Sequence, residues 1–179
     1  MTATVSPEPA PPSRPGKLLA WLPTLLWLCI LAIFSTDLFS AEHTGSMLQK
    51  IIHALFGRIS HQDFQQIHFF IRKAAHFCSY GLLSILASFS WRATLPLPQN
   101  AQKQRVPMLP ALRGWTLRWA ALGMLTAFAA GSLDEFHQSF VPSRTSNFHD
   151  VLLDTAGALF FQCVVALVIS HRNRGGAGS

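Results

Sequence analysis

Residues 131–157, with the sequence GSLDEFHQSFVPSRTSNFHDVLLDTAG, join the end of one apolar run to the start of another and decide how the chain folds. This stretch holds four of the chain's eight acidic residues, two histidines and one arginine. Carboxylates at the edge of a hydrophobic helix lose hydration, so they need partners or access to water. The stretch therefore predicts a polar cluster at a membrane–water boundary, completed by groups from elsewhere in the chain.

The composition is that of a membrane protein. Half of the 179 residues are apolar and only 12% are charged, whereas about a quarter of the residues in soluble proteins are charged. The apolar residues fall into blocks near the roughly 20 residues that a bilayer requires. We predict an all-α integral membrane bundle of four transmembrane helices, at residues 18–39, 74–91, 115–133 and 151–170. A cleaved signal peptide is the alternative for the first block, which is about twice as long as the apolar core of such a peptide.

The loop after the first block is amphipathic. Apolar residues recur at helical spacing at Leu48, Ile51, Ile52 and Leu55, and a second set from Phe64 continues towards the second block. This pattern predicts one or two interfacial helices on the outward side. A cap packed on the outer ends of the bundle is the alternative.

The remaining segments set the domain limits and the orientation. Residues 1–16 are rich in proline and predict a disordered cytoplasmic tail, residues 17–171 the membrane domain, and residues 172–179 a flexible cytoplasmic tail. Nine of the fourteen basic residues lie on the side of the two tails. The positive-inside rule then predicts a multi-pass protein of the plasma (inner) membrane with both termini cytoplasmic. The same topology explains the net charge of +6, so no nucleic-acid partner is expected.

The second block opens with groups that can complete the cluster. Lys73, His76 and Tyr80 are spaced to share one helix face. Asp134 and Glu135 follow the third block directly, where the negative end of a helix dipole disfavours anions. An arginine resolves this best, because a guanidinium bridges two carboxylates with fixed geometry, and residue 144 supplies one. In the third block Gly123, Ala127 and Gly131 form a small-residue stripe that predicts a closely packed helix neighbour.

Together these residues resemble the VanZ-like family of small bacterial membrane proteins. The motifs are Lys73-x-x-His76-Phe77-x-x-Tyr80, then Asp134-Glu135-x-x-Gln138-x-Phe140-x-Pro142-x-Arg144, then Asp150-Val151-x-x-Asp154-x-x-Gly157. The resemblance extends over residues 18–169. It departs from the family pattern at Asp154, where asparagine is common, and at Ser143, where glycine is frequent.

The resemblance implies a multi-spanning membrane protein linked to the cell envelope or to glycopeptide (teicoplanin) tolerance, and it carries no reaction with it. We expect an outward-facing site whose partners are membrane lipids, and an envelope lipid or a lipoglycopeptide in particular. The expected binding residues are Lys73, His76, Tyr80, Asp134, Glu135, Gln138, Arg144, Asp150 and Asp154. In the structural version of this role, Lys73 and Arg144 neutralise the carboxylates.

Three other readings stay open. In a membrane-embedded enzyme acting on an outward-facing lipid-linked or phosphorylated substrate, His76 or Glu135 is the general acid or base and Asp150 orients it. Lys73 and Arg144 then hold the anionic group of the substrate. A metal site would use His76, His137 and His149, but their spacing matches no zinc pattern, so no metal or other cofactor is expected. A transporter is the last reading, although four spans are few for a carrier.

Overall fold

The computed structural model describes residues 16–36, 41–57, 59–95, 117–141 and 147–175. These residues form five helices and no strand: α1 (Lys17–Phe34), α2 (Ala41–Phe56), α3 (His61–Thr94), α4 (Leu117–Gln138) and α5 (Phe148–Gly175). The predicted all-α class is confirmed. The N-terminal tail, the connector between the second and third blocks and Arg144 lie outside the described residues.

Helix α3 is the centre of the bundle and contacts every other helix. Ser60 caps its start, because the Ser60 hydroxyl accepts a hydrogen bond of 3.1 Å from the Asp63 amide and donates one of 2.6 Å to the Asp63 carboxylate. The helix then continues for 34 residues, about 51 Å at 1.5 Å per residue. The second amphipathic set and the second apolar block are therefore one continuous helix, about four turns longer than a span requires.

Helix α1 packs antiparallel to α3 through polar groups. Trp21 Nε1 donates to Thr94 Oγ1 at 2.8 Å, and Trp27 Nε1 donates to the Ser79 carbonyl at 3.0 Å. Between them, the hydroxyls of Thr24 and Ser90 are 2.7 Å apart. Such bonds hold helices together where an apolar surface alone would not distinguish a neighbour from lipid.

Helices α3, α4 and α5 pack closely because small residues line their contacts. The predicted stripe in α4 is confirmed: Gly123, Ala127 and Gly131 are all buried. A Cβ added to Gly123 would lie 2.3 Å from the Ser84 carbonyl oxygen of α3. Helix α4 is antiparallel to α3, and α5 is parallel to it, with Gln162 donating to the Ser84 carbonyl at 3.0 Å and to the Ser88 hydroxyl at 2.8 Å.

Two helices of the described residues are long and apolar enough to cross a membrane by length and composition, Lys17–Phe34 and Phe148–His171. Helices α3 and α4, which carry most of the buried serine, glycine and carboxylate groups, do not meet that measure. The count of four spans stays a prediction. The bounds also differ from expectation: α4 continues through Asp134 to Gln138, and α5 continues to Gly175.

Candidate functional site

The polar cluster forms at one end of the bundle, where α4 ends, α5 begins and α3 passes between them. Lys73 of α3 forms an ion pair with Asp150 of α5. The Lys73 ammonium also lies 5.3 Å from the centre of the Phe69 ring. Asp150 stands in the first turn of α5, where the helix dipole favours an anion. The expected neutralisation of Asp150 by Lys73 is therefore present.

A second pair lies one turn deeper. His76 Nδ1 is 3.4 Å from Asp154 Oδ1, and the Asp154 side chain is 1% exposed. Asp154 fits there because the facing residue of α4 is Gly131, whose added Cβ would lie 3.2 Å from Asp154 Oδ2. The His76 ring stacks on Tyr80 at 6.1 Å between centroids. The carboxylate that faces the His76 ring is therefore Asp154, whereas Asp150, which was expected to orient His76, forms an ion pair with Lys73.

The third set of contacts in the polar cluster consists of hydrogen bonds that Asp134 accepts. The Tyr80 hydroxyl donates to Asp134 Oδ2 at 3.1 Å, and Gln138 Nε2 donates to the same oxygen at 3.0 Å. Gln138 Nε2 also approaches Ser35 Oγ of α1 at 3.4 Å. This network joins α1, α3 and α4 at the end of the bundle where the other two pairs lie.

Glu135 connects the end of α4 to the start of α5. Its side chain is buried, and its Oε2 accepts a hydrogen bond of 2.8 Å from the Asn147 amide. The Asn147 side chain in turn accepts one of 3.0 Å from the His149 amide, which caps α5. The predicted bridge from Arg144 to the carboxylates stays a prediction, since residue 144 is outside the described ranges.

Two cavities meet beside this network. The first has a volume of about 370 Å³ and lies between α1, α2, α3 and α4. The second, of about 660 Å³, is a groove between α1 and α4. Both are mainly apolar, and they share Leu31, Ser35, Tyr80 and Asp134 in their walls. The Tyr80–Asp134 hydrogen bond therefore lies where the two cavities adjoin.

The first cavity also contains groups that the sequence reasoning did not select. These are His68 and Arg72, which line it from α3 together with the predicted His76. His68 is buried, and burial holds the pKa of its imidazole below the ordinary value, with a further lowering from the nearby Arg72 charge. The sequence could have predicted that these side chains lie together, because positions 68, 72 and 76 are spaced by four residues and share one face of a helix. Lys73 points instead towards α5.

The histidines expected for a metal site do not come together. His76 faces Asp154, His137 lines the groove between α1 and α4, and His149 contacts Asn147. Within the described ranges no group of three histidine, cysteine or acidic residues is placed to hold a metal ion.

Comparison with known proteins agrees with the three motifs. A family model described as VanZ/LLP1 matches residues 20–169. Neither the curated proteins nor the solved structures include a significant match to the chain. The two apolar helices and the family match together indicate a membrane protein. Because the family match includes all three motifs and most of the chain, the protein belongs to the VanZ/LLP1 family.

Proposed function

We propose that the protein binds an amphiphile of the bacterial cell envelope, either an envelope lipid or a lipoglycopeptide, at the outer face of the plasma membrane, and that this binding underlies a role in teicoplanin tolerance. The observation that supports binding best is the pair of adjoining apolar cavities beside a polar network. Pockets for small molecules have volumes of about 300–1,000 Å³, apolar walls and a few polar groups that fix orientation. Both cavities match that description.

The pairing of the motif residues supports the same role. Lys73 engages Asp150, His76 faces Asp154, and Tyr80 donates to Asp134. Each pair joins two different helices: the first two fix α5 to α3, and the Tyr80–Asp134 bond fixes two helices that line both cavities. A rigid wall reduces the ordering cost that a ligand must overcome.

The proposal includes a membrane topology with four spans and both termini in the cytoplasm. Four spans with cytoplasmic termini place the cluster and the cavity mouths on the outer side. Reporter fusions after Pro98 and after Pro142 test it, with a cytoplasmic signal expected from the first and an external signal from the second. An external signal after Pro98 contradicts the orientation.

The binding proposal is tested by deletion of the gene and complementation with groove variants, followed by envelope-lipid profiling and teicoplanin susceptibility. Ala129→Trp fills the groove between α1 and α4, and Ala121→Trp places the same side chain on an exposed position of α4 that does not line it. Ala121→Trp is expected to complement the deletion, and Ala129→Trp is expected to fail at equal membrane abundance. Full complementation by Ala129→Trp would refute a role for the groove.

A second candidate is a membrane-embedded enzyme that acts on a lipid-linked or phosphorylated envelope substrate. The 3.4 Å contact between His76 and the buried Asp154 favours it, because a carboxylate that orients an imidazole is the usual arrangement of a general base. His76 also lines the first cavity. His76→Gln with normal membrane abundance, normal lipid binding and no complementation would favour the enzyme over passive binding.

A further inference from the structure

Arg72 is a cationic side chain of the first cavity that forms no ion pair with any residue that the structure describes. It is half-buried in the cavity wall, and the described residues offer it neither a hydrogen bond nor an ion pair. The next residue, Lys73, is paired with Asp150. Asp134 lines the same cavity, where its Oδ2 accepts hydrogen bonds from the neutral donors Tyr80 and Gln138, and it forms no ion pair with Arg72. A cation withdrawn from water without a partner is costly, so an anion in the cavity would offset a cost that the described residues leave uncompensated.

The surroundings of Arg72 restrict the anion to one that carries an apolar part. Leu31, Phe34, Leu48 and Ile51 face the cavity from α1 and α2. A small inorganic ion would leave these apolar walls in contact with water. An amphiphile covers them and brings its charged group to the guanidinium, whose planar fork pairs with two oxygens of one phosphate.

The adjoining groove supplies the space for a hydrocarbon chain. Its wall on α4 extends from His137 to Leu122, which is about 22 Å at 1.5 Å per residue. That length is roughly three-quarters of the hydrocarbon thickness of a bilayer. The groove exists because α1 packs against α3 and makes little contact with α4. A chain lying in it would contact Leu125, Ala129 and Leu133 of α4.

We propose that the bound amphiphile is an anionic lipid, with its phosphate group on Arg72 and its hydrocarbon chain in the groove between α1 and α4. This inference rests on the proposed binding function and narrows it to one ligand class. With the second span starting at residue 74 as predicted, Arg72 would lie at the depth of lipid head groups, and anionic membrane lipids carry their charge on phosphate. A lipoglycopeptide fits less well, because the cavity of about 370 Å³ has no room for its peptide core.

The experiment measures binding of hexadecyl phosphate to the purified full chain in detergent, with hexadecanol and hexadecyltrimethylammonium as neutral and cationic probes. Hexadecyl phosphate is expected to bind at least tenfold more tightly than either. Arg72→Gln is expected to weaken it by roughly 10- to 100-fold, the effect of losing hydrogen bonds to a charged group. Arg72→Lys is expected to weaken it less, and it serves as the folded reference if Arg72→Gln is unstable.

Two controls make the result specific. Arg118→Gln removes an exposed arginine that lies over the Trp119 ring at the other end of the bundle, and it is expected to bind hexadecyl phosphate like the wild type. Ala129→Trp is expected to block the chain, and Ala121→Trp to leave binding unchanged.

The outcomes separate this inference from the function on which it rests. Equal binding of all three probes, blocked by Ala129→Trp, would overturn the anionic-lipid inference and leave amphiphile binding intact. Competition by inorganic phosphate at similar concentration would also overturn it, in favour of a free anion. Absence of binding by every probe would overturn the proposed function itself.

Discussion

The contact between Gly157 of α5 and Phe77 of α3 gives the sharpest prediction. A Cβ added to Gly157 would lie 2.1 Å from the Phe77 carbonyl oxygen and 2.8 Å from its carbonyl carbon, whereas ordinary contacts are 3.4–4 Å. Both atoms belong to helical backbone, which cannot rotate away as a side chain can. Gly157→Ala must therefore separate α3 from α5 by more than an ångström.

Two opposing free-energy contributions set the size of the stability change in Gly157→Ala. Overpacking of a tight interior costs about 1–3 kcal/mol, and the backbone clash places this site at the upper end. Replacement of a helical glycine by alanine returns up to about 1 kcal/mol of helix propensity. The net loss is therefore about 2 kcal/mol, which corresponds to a decrease in the unfolding temperature of roughly 4–8 °C for a chain of this length.

Thermal unfolding in detergent, followed by circular dichroism or a thiol-reactive dye, measures this loss. The matched control is Gly45→Ala in α2, where the added Cβ would make only ordinary contacts of 3.6–4.0 Å with the side chains of His68 and Phe64. That variant is expected to unfold at the wild-type temperature or slightly above it. If Gly157→Ala is as stable as Gly45→Ala, the close packing of α3 against α5 is refuted. Because Phe77 follows His76, Gly157→Ala should also weaken hexadecyl phosphate binding.

Three further predictions concern the polar cluster. Lys73→Met should lower the free energy of unfolding by about 1–3 kcal/mol, and adding Asp150→Asn should restore part of it; strictly additive losses in this cycle would refute the ion pair. Asp154→Asn should be as stable as the wild type or more so, because a neutral isostere avoids burying a carboxylate; a decrease in unfolding temperature above about 10 °C would contradict this. His68 has a depressed pKa in the folded protein, so the unfolded chain takes up the proton first. The contribution of neutral His68 to the free energy of unfolding should be fully present above about pH 6.5 and should decrease as the pH falls towards the folded pKa. In the same unfolding assay, the stability of His68→Gln should lack this dependence on pH.

Much of the fold follows from local patterns in the sequence. The positions of α1 and α5 follow from long apolar runs, and the small-residue stripe of α4 predicted a closely packed neighbour. The pattern could not show that the second amphipathic set and the second block form one helix. Helical spacing is the same on both sides of the predicted boundary, and only the absence of a turn decides the matter.

The sequence by itself indicated most residues of the polar cluster, because three motifs at helix ends match the pattern of the family. The tertiary structure alone decided the partners: Asp154 faces His76, Asp150 engages Lys73, and Asp134 accepts from Tyr80. The physical reason is that pairing depends on the register between α3 and α5, which close contacts such as Gly157 against Phe77 fix to within an ångström. The same packing leaves Arg72 in the wall of a cavity with no ion-pair partner among the described residues, and no periodicity in the sequence predicts a cavity.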